Sequence, residues 1–90
     1  MFKISQSKSF KKDVKRARKR GKDLLKLESV VLQLAENKEL PSQFRDHILK
    51  GNYSNHRECH IEPDWLLIYR IEPNHLILVR TGTHADLFAK

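Results

Sequence analysis

Apolar and polar residues alternate over residues 2–5 (FKIS), the period of a short strand. The next stretch changes period. Phe10, Val14 and Ala17 recur four and three apart, which gives one narrow apolar stripe along a helix. Ser7 or Ser9 suits its N-cap, and Gly21 suits its stop, because glycine turns left-handed without a Cβ clash. A second helix is predicted over 23–36, where Leu24, Leu27, Val31 and Leu34 keep register and Leu25 and Val30 widen the stripe. Two helices joined at one glycine read as an antiparallel helical hairpin.

Residues 37–41 form a polar loop, and Pro41 forbids further helix. DHILKGNY (46–53) then predicts a short strand and a turn at Gly51-Asn52. In HRECHIE, His56, Glu58, His60 and Glu62 share one side, while Arg57, Cys59 and Ile61 share the other. WLLIYRI (65–71) and HLILV (75–79) are apolar on both sides, as central strands of a covered sheet are. Glu72-Pro73-Asn74 is a tight turn between them. The pattern is α+β. A short N-terminal strand and a helical hairpin pack on one face of a small twisted, mainly antiparallel sheet. Ninety residues allow one domain, 1–90.

The charge changes this picture. The net charge is +7, and residues 8–22 hold nine Lys or Arg against one acid, Asp13. Lys11, Lys12, Lys15, Arg16, Lys19 and Arg20 cover the solvent side of the first helix. Such a run is often just a solvated face. Here like charges at i, i+4 repel without opposite partners, so a polyanion is the expected partner. The chain has no long apolar run, and its N-terminus turns basic and polar at once, which fits neither a membrane span nor a signal peptide. The single cysteine, Cys59, cannot form an internal disulfide. It reads as a small apolar filler on a strand of a cytoplasmic protein.

The histidines His47, His56, His60, His75 and His84 all lie in the second half. His60 precedes Asp64 and Trp65 in HIEPDW, and His84 follows Gly82 in RTGTHADLF. A lone strand-end histidine is usually only polar surface. Three of them with an aspartate at the strand ends of one small sheet make a shared site, because such ends lie close together. Imidazole moves protons near neutral pH, and a carboxylate holds its tautomer. Zinc is disfavoured, since no pair has helix-face spacing and there is one cysteine. Neither metal nor cofactor is expected.

If the polyanion is RNA, its 2′-OH can attack the neighbouring phosphate once a base takes its proton and an acid protonates the leaving 5′-oxygen. Arg57, Arg70 and Arg80 are cation candidates, Arg80 first because it adjoins THAD. Trp65 suits stacking on a splayed base and equally suits a core position. Phe88, beyond the last predicted strand, has little core to join and suits stacking better.

The blocks DH, LKG, HRECHIEPDWLLIYRI and RTGTHADLF, after KSFKKDVK and a leucine-rich helix, resemble the YafQ group of RelE-superfamily toxins along essentially the whole chain. The resemblance implies a RelE-like toxin domain. It implies a toxin of a type II toxin–antitoxin pair, a ribosome-dependent endoribonuclease that cuts mRNA in the ribosomal A site and favours AAA codons. It implies an antitoxin of the DinJ kind as inhibitor, and operator DNA bound only through the antitoxin complex. Carried to this chain, the family's functional residues are His47, His60, Asp64, His84 and Phe88, with Trp65 alongside. Three rival readings remain: a gyrase-poisoning ParE-type toxin on the same fold, a plain RNA- or ribosome-binding module, and a DNA-binding repressor. ParE relatives lack the histidine set, and the basic helix shows no helix-turn-helix pattern.

Overall fold

The computed structural model describes residues 1–88. Strand β1 (Lys3–Gln6) leads into helices α1 (Lys8–Lys19) and α2 (Leu24–Ala35). Strands β2 (His47–Ile48), β3 (Arg57–Glu62), β4 (Trp65–Glu72) and β5 (His75–Gly82) follow, and helix α3 (His84–Phe88) comes last. Short helical turns fill Ser42–Phe44 and Gly51–Tyr53. The five strands form one sheet in the order β1-β5-β4-β3-β2. β2 to β5 make the expected antiparallel meander, and β1 closes the other edge parallel to β5.

Local chemistry sets the helix ends. The Ser7 hydroxyl accepts the Phe10 N–H and itself donates to the Val79 carbonyl at 2.6 Å, which pins the start of α1 to β5. At the far end Gly21 takes φ 80°, and Lys22 N–H donates back to the Ala17 carbonyl, a left-handed closure that satisfies an orphan carbonyl. Asp23 caps α2 by accepting the Leu25 N–H.

The helices cover one face of the sheet. Phe10, Ala17, Leu27, Val30, Val31 and Leu34 meet Cys59, Leu67, Tyr69, Leu76 and Leu78 in the main core. Cys59 is buried as a strand filler, as expected. The opposite face carries a smaller cluster: Leu66 and Ile68 of β4 under Leu87 of α3, flanked by Leu49, Tyr53 and Val79.

The structure departs from the sequence pattern at the C-terminal end. The last strand was expected over 75–79, yet β5 runs to Gly82. A bulge breaks the period: Ile68 faces Arg80, while Tyr69 faces Leu78. The bulge turns Thr81 into the core, where it accepts the Trp65 indole N–H at 3.0 Å and donates to the Leu66 carbonyl at 2.6 Å. THAD, expected as a loop, begins α3. Thr83 and Asp86 cap it reciprocally: the Asp86 carboxylate accepts the Thr83 N–H, and the Thr83 hydroxyl accepts the Asp86 N–H.

Candidate active site

Register places the histidines. Glu58 pairs with Ile68 and His60 with Leu66, so both side chains share the sheet face away from α1 and α2. His47 pairs with Glu58 and joins the same face from the edge strand. The two-residue turn Pro63–Asp64 then carries Asp64 out of β3 toward α3. There Asp64 Oδ1 accepts the His84 backbone N–H at 2.9 Å and faces His84 Nδ1 at 2.6 Å. These two bonds hold the Asp64 carboxyl below the usual carboxylate range, the backbone bond contributing most. With its proton on Nδ1, His84 offers a lone pair at Nε2.

Three imidazoles line up. The His47 and His60 ring centroids lie 6.3 Å apart, and those of His60 and His84 lie 5.7 Å apart. His84 is half exposed, whereas His60 is mostly covered. Phe88, 40% exposed, stands edge-on to Tyr53 with centroids 5.9 Å apart. The structure thus gathers His47, His60, Asp64 and His84, and places Phe88 on the helix that carries His84. Among the described residues no three His, Cys, Asp or Glu side chains group closely enough to hold a metal ion.

The other candidates are placed differently. Trp65 is 1% exposed in the core, out of reach of a base. Arg57 faces the helix side of the sheet, where its Nε donates to Asp46 at 3.1 Å, away from the histidines. Arg70 donates to Glu72 at 2.8 Å and lies 3.4 Å from His56. Arg80 donates Nε and Nη2 to Asp13, with the Tyr53 side chain also beside its guanidinium. On α1, Lys11, Lys12, Lys15 and Lys19 are exposed. Arg16 and Arg20 instead reach Asp86, Arg20 in a two-point pair at 2.6 and 3.1 Å. Part of the cationic face therefore fastens α3.

Four residues of this arrangement escaped sequence reasoning: Asp13, Tyr53, Glu58 and Asp86. Asp13 carried a signal. It is the single acid of a basic helix and falls in register with Phe10 and Ala17, so it is buried, 4% exposed. Alternation had also set Glu58 beside His60.

Comparison with known proteins gives the family and the fold. The family model described as "Bacterial toxin of type II toxin-antitoxin system, YafQ" matches residues 2–89. The chain belongs to the YafQ toxin family. It is 45% identical over 86 residues to the mRNA interferase toxin YafQ of Escherichia coli (strain K12), covering 94% of each chain. Its fold superposes on a chain of the E. coli DinJ–YafQ complex with a TM-score of 0.91 at 44% identity, covering 98% of this chain and 99% of that one. A metal-bound toxin from Helicobacter pylori matches with a TM-score of 0.92 at 47% identity, covering 98% and 100%. The fold is thus the α+β architecture of YafQ toxins, and no helix among the described residues is long and apolar enough to cross a membrane.

Proposed function

We propose that this YafQ-family toxin is a ribosome-dependent endoribonuclease that cleaves mRNA in the A site and so stops translation. The observation that carries the proposal is the His84–Asp64 pair set 5.7 Å from a second histidine, His60, beside an exposed phenylalanine. The name of the E. coli relative, an mRNA interferase, supports the same chemistry.

The reaction is a transesterification. His84 Nε2 takes the proton of the 2′-OH while Asp64 holds the imidazole and offsets its growing charge. The 2′-oxygen attacks phosphorus, and the bond to the 5′-oxygen breaks. His60 donates the proton that the leaving oxygen needs, and His47 contacts the phosphate or shares that transfer. Arg80 meets the charge on the equatorial oxygens. Phe88 stacks on a base and keeps it splayed. These groups transfer protons and place charge, so the step runs without a metal. One acid or base contributes roughly 10²–10⁴ in rate. Such a site is slow on flexible RNA and gains most where the ribosome aligns the substrate.

The exposed lysines Lys11, Lys12, Lys15 and Lys19 grip ribosomal RNA, a phosphate contact without sequence preference. An antitoxin of the DinJ kind is the expected inhibitor, with operator DNA bound only through that complex, and the toxin acts in the cytoplasm.

Primer extension on a defined mRNA in reconstituted translation tests this, with wild type, His84→Ala and a reaction lacking ribosomes. In-frame cuts that need ribosomes and vanish in His84→Ala are expected. Absence of cuts from folded, antitoxin-free protein would refute the nuclease reading. Cuts that survive His84→Ala would keep the activity and move its site.

A further inference from the structure

Asp13 is a buried acid surrounded by donors. It is 4% exposed on α1, a helix whose other charged residues are all basic. Oδ2 accepts Arg80 Nε at 2.7 Å and the Thr81 backbone N–H at 3.1 Å. Oδ1 accepts Arg80 Nη2 at 3.1 Å and Arg16 Nη2 at 3.0 Å. A carboxylate out of water needs such partners, and both oxygens have them. The start of α1 is tied to β5 separately, through Ser7 and the Val79 carbonyl.

β5 sets what Asp13 holds. β1 pairs with β5 only as far as Leu78, and Asp13 takes the Thr81 N–H on the edge beyond. Val79 is the extra residue of the bulge, since Tyr69 faces Leu78 and Ile68 faces Arg80. Strict alternation from Leu78 would send Arg80 to the helix side of the sheet. The bulge sends it to the other face. There Arg80, Ile68, Glu58 and His47 stand opposite one another in a row across the strands. Arg80 thus shares the face of His47 and His60, with Tyr53 beside its guanidinium and Phe88 beside Tyr53. Its side chain is 25% exposed, so the group is held without being sealed.

Arginine is a long side chain with many rotamers, and a two-point pair removes most of them. One pairing would usually cancel its charge. Here Arg80 and Arg16 share a single carboxylate, so the group keeps a net positive charge. We propose that Asp13 is a positioning residue: its buried carboxylate grips the Arg80 guanidinium at two points and presets it as a cation on the histidine face. Arg80 then need not be ordered when RNA arrives. The use of that cation on phosphate rests on the nuclease reading; the hold on Arg80 does not.

Two readouts on the full chain test this. Asp13→Asn keeps the side-chain volume. Its amide oxygen can still accept the Thr81 N–H, while its NH2 turns a donor toward Arg80 Nη2 and Arg16 Nη2. The two-point grip therefore opens while the backbone bond to β5 is kept. In ¹H–¹⁵N NMR at neutral pH, wild-type Arg80 Nε–H is expected to exchange slowly with water. In Asp13→Asn it should exchange like an exposed arginine while the amide spectrum stays native. Fast exchange in wild type would overturn the proposal without any variant. On programmed ribosomes Asp13→Asn should lower kcat roughly 10²-fold with KM unchanged. The double variant Asp13→Asn/Arg80→Ala should cut no slower than Arg80→Ala, because Asp13 acts through Arg80. Losses that multiply, or an Asp13→Asn protein that cuts like wild type, would leave Asp13 a packing residue of α1 and sink the proposal. Arg80→Lys decides if Asp13→Asn does not fold. It keeps the charge and the buried acid but lacks the planar fork, so its kcat should fall in the same way, and wild-type turnover would refute the grip. If wild type cuts nothing, the nuclease reading fails, and the exchange of Arg80 Nε–H alone decides the hold.

Discussion

Gly82 controls the seat of α3, the helix that carries His84. A Cβ added there would lie 2.9 Å from Asp86 Oδ2 and 3.0 Å from Asp86 Cβ, with Arg16 Nη2 at 3.4 Å. Contacts that short do not persist, and the Asp86 Cβ moves only if α3 moves with it. Asp86 is also the fastening of α3. It accepts the Thr83 N–H at 2.9 Å and binds Arg20 at two points. Gly82→Ala therefore either breaks the cap or displaces the helix. Losing the cap costs about 1 kcal/mol, and the exposed arginine pair adds little to that. Stability should drop by about 1–2 kcal/mol, which lowers Tm by about 4–8 °C per kcal/mol in a chain of this size. Activity should drop further. His84 begins this helix, and a misplacement of about 1 Å can cost roughly 10²-fold in rate. Thermal unfolding and ribosome-programmed cleavage, measured on one preparation, separate the two effects. The double variant Gly82→Ala/Asp86→Ala removes the clash. It should be close to Asp86→Ala alone, a coupling of about 1 kcal/mol between neighbours. Additive losses, or a Gly82→Ala protein with wild-type Tm and cleavage, would refute this account of how α3 is seated.

Three further outcomes are expected. Thr81→Val leaves the Trp65 indole N–H and one carbonyl bond of Leu66 without the hydroxyl that serves both. It should lower the unfolding free energy by about 1–3 kcal/mol in urea titration while cleavage per folded molecule is unchanged. Arg20 holds the Asp86 carboxyl well below the usual carboxylate range, and His84 lowers that of Asp64. A folded-state value below the unfolded one gives stability that is present above the ordinary aspartate value of about 3.9 and is lost as pH falls through the folded value. Acid unfolding followed by circular dichroism should therefore steepen below about pH 4, and Asp86→Asn should flatten it. Burial pushes the Cys59 thiol well above its usual range. Iodoacetamide at mildly alkaline pH should label it only as fast as the protein opens, and rapid native-state labelling would contradict the packing of β3.

The wrap of α3 around the sheet end gives the basic helix a second meaning. α1 packs on β5 from one side, and α3 covers the small cluster on the other. Arg16, Arg20 and Arg80 bridge them through Asp13 and Asp86. The helix that carries the exposed lysines is therefore linked by ion pairs to the helix that carries His84 and Phe88.

Much of this was legible in one dimension. Helices α1 and α2 follow from a 3.6-residue period bounded by Ser7, Gly21 and Asp23, because stripe and caps are local properties of neighbouring residues. The strands at 57–62 and 65–72 follow from alternation and from apolar runs closed by Pro63 and Pro73. The histidines and Asp64 stood out because their chemistry is rare and their strand ends converge.

Tertiary structure decided what depends on residues far apart in the chain. The parallel pairing of β1 with β5 joins positions more than sixty residues apart, and FKIS alone holds no sign of its partner. The bulge at Val79 reverses the facing of the residues after it, so no period read along HLILVRTG puts Thr81 in the core. In the sequence Arg57 and Arg80 are cation candidates. Asp46 and Asp13 reach them only across the fold, because a cation's availability depends on which carboxylate packing brings near. Composition and period singled out the candidate residues; long-range packing decided which of them meet and which are already paired.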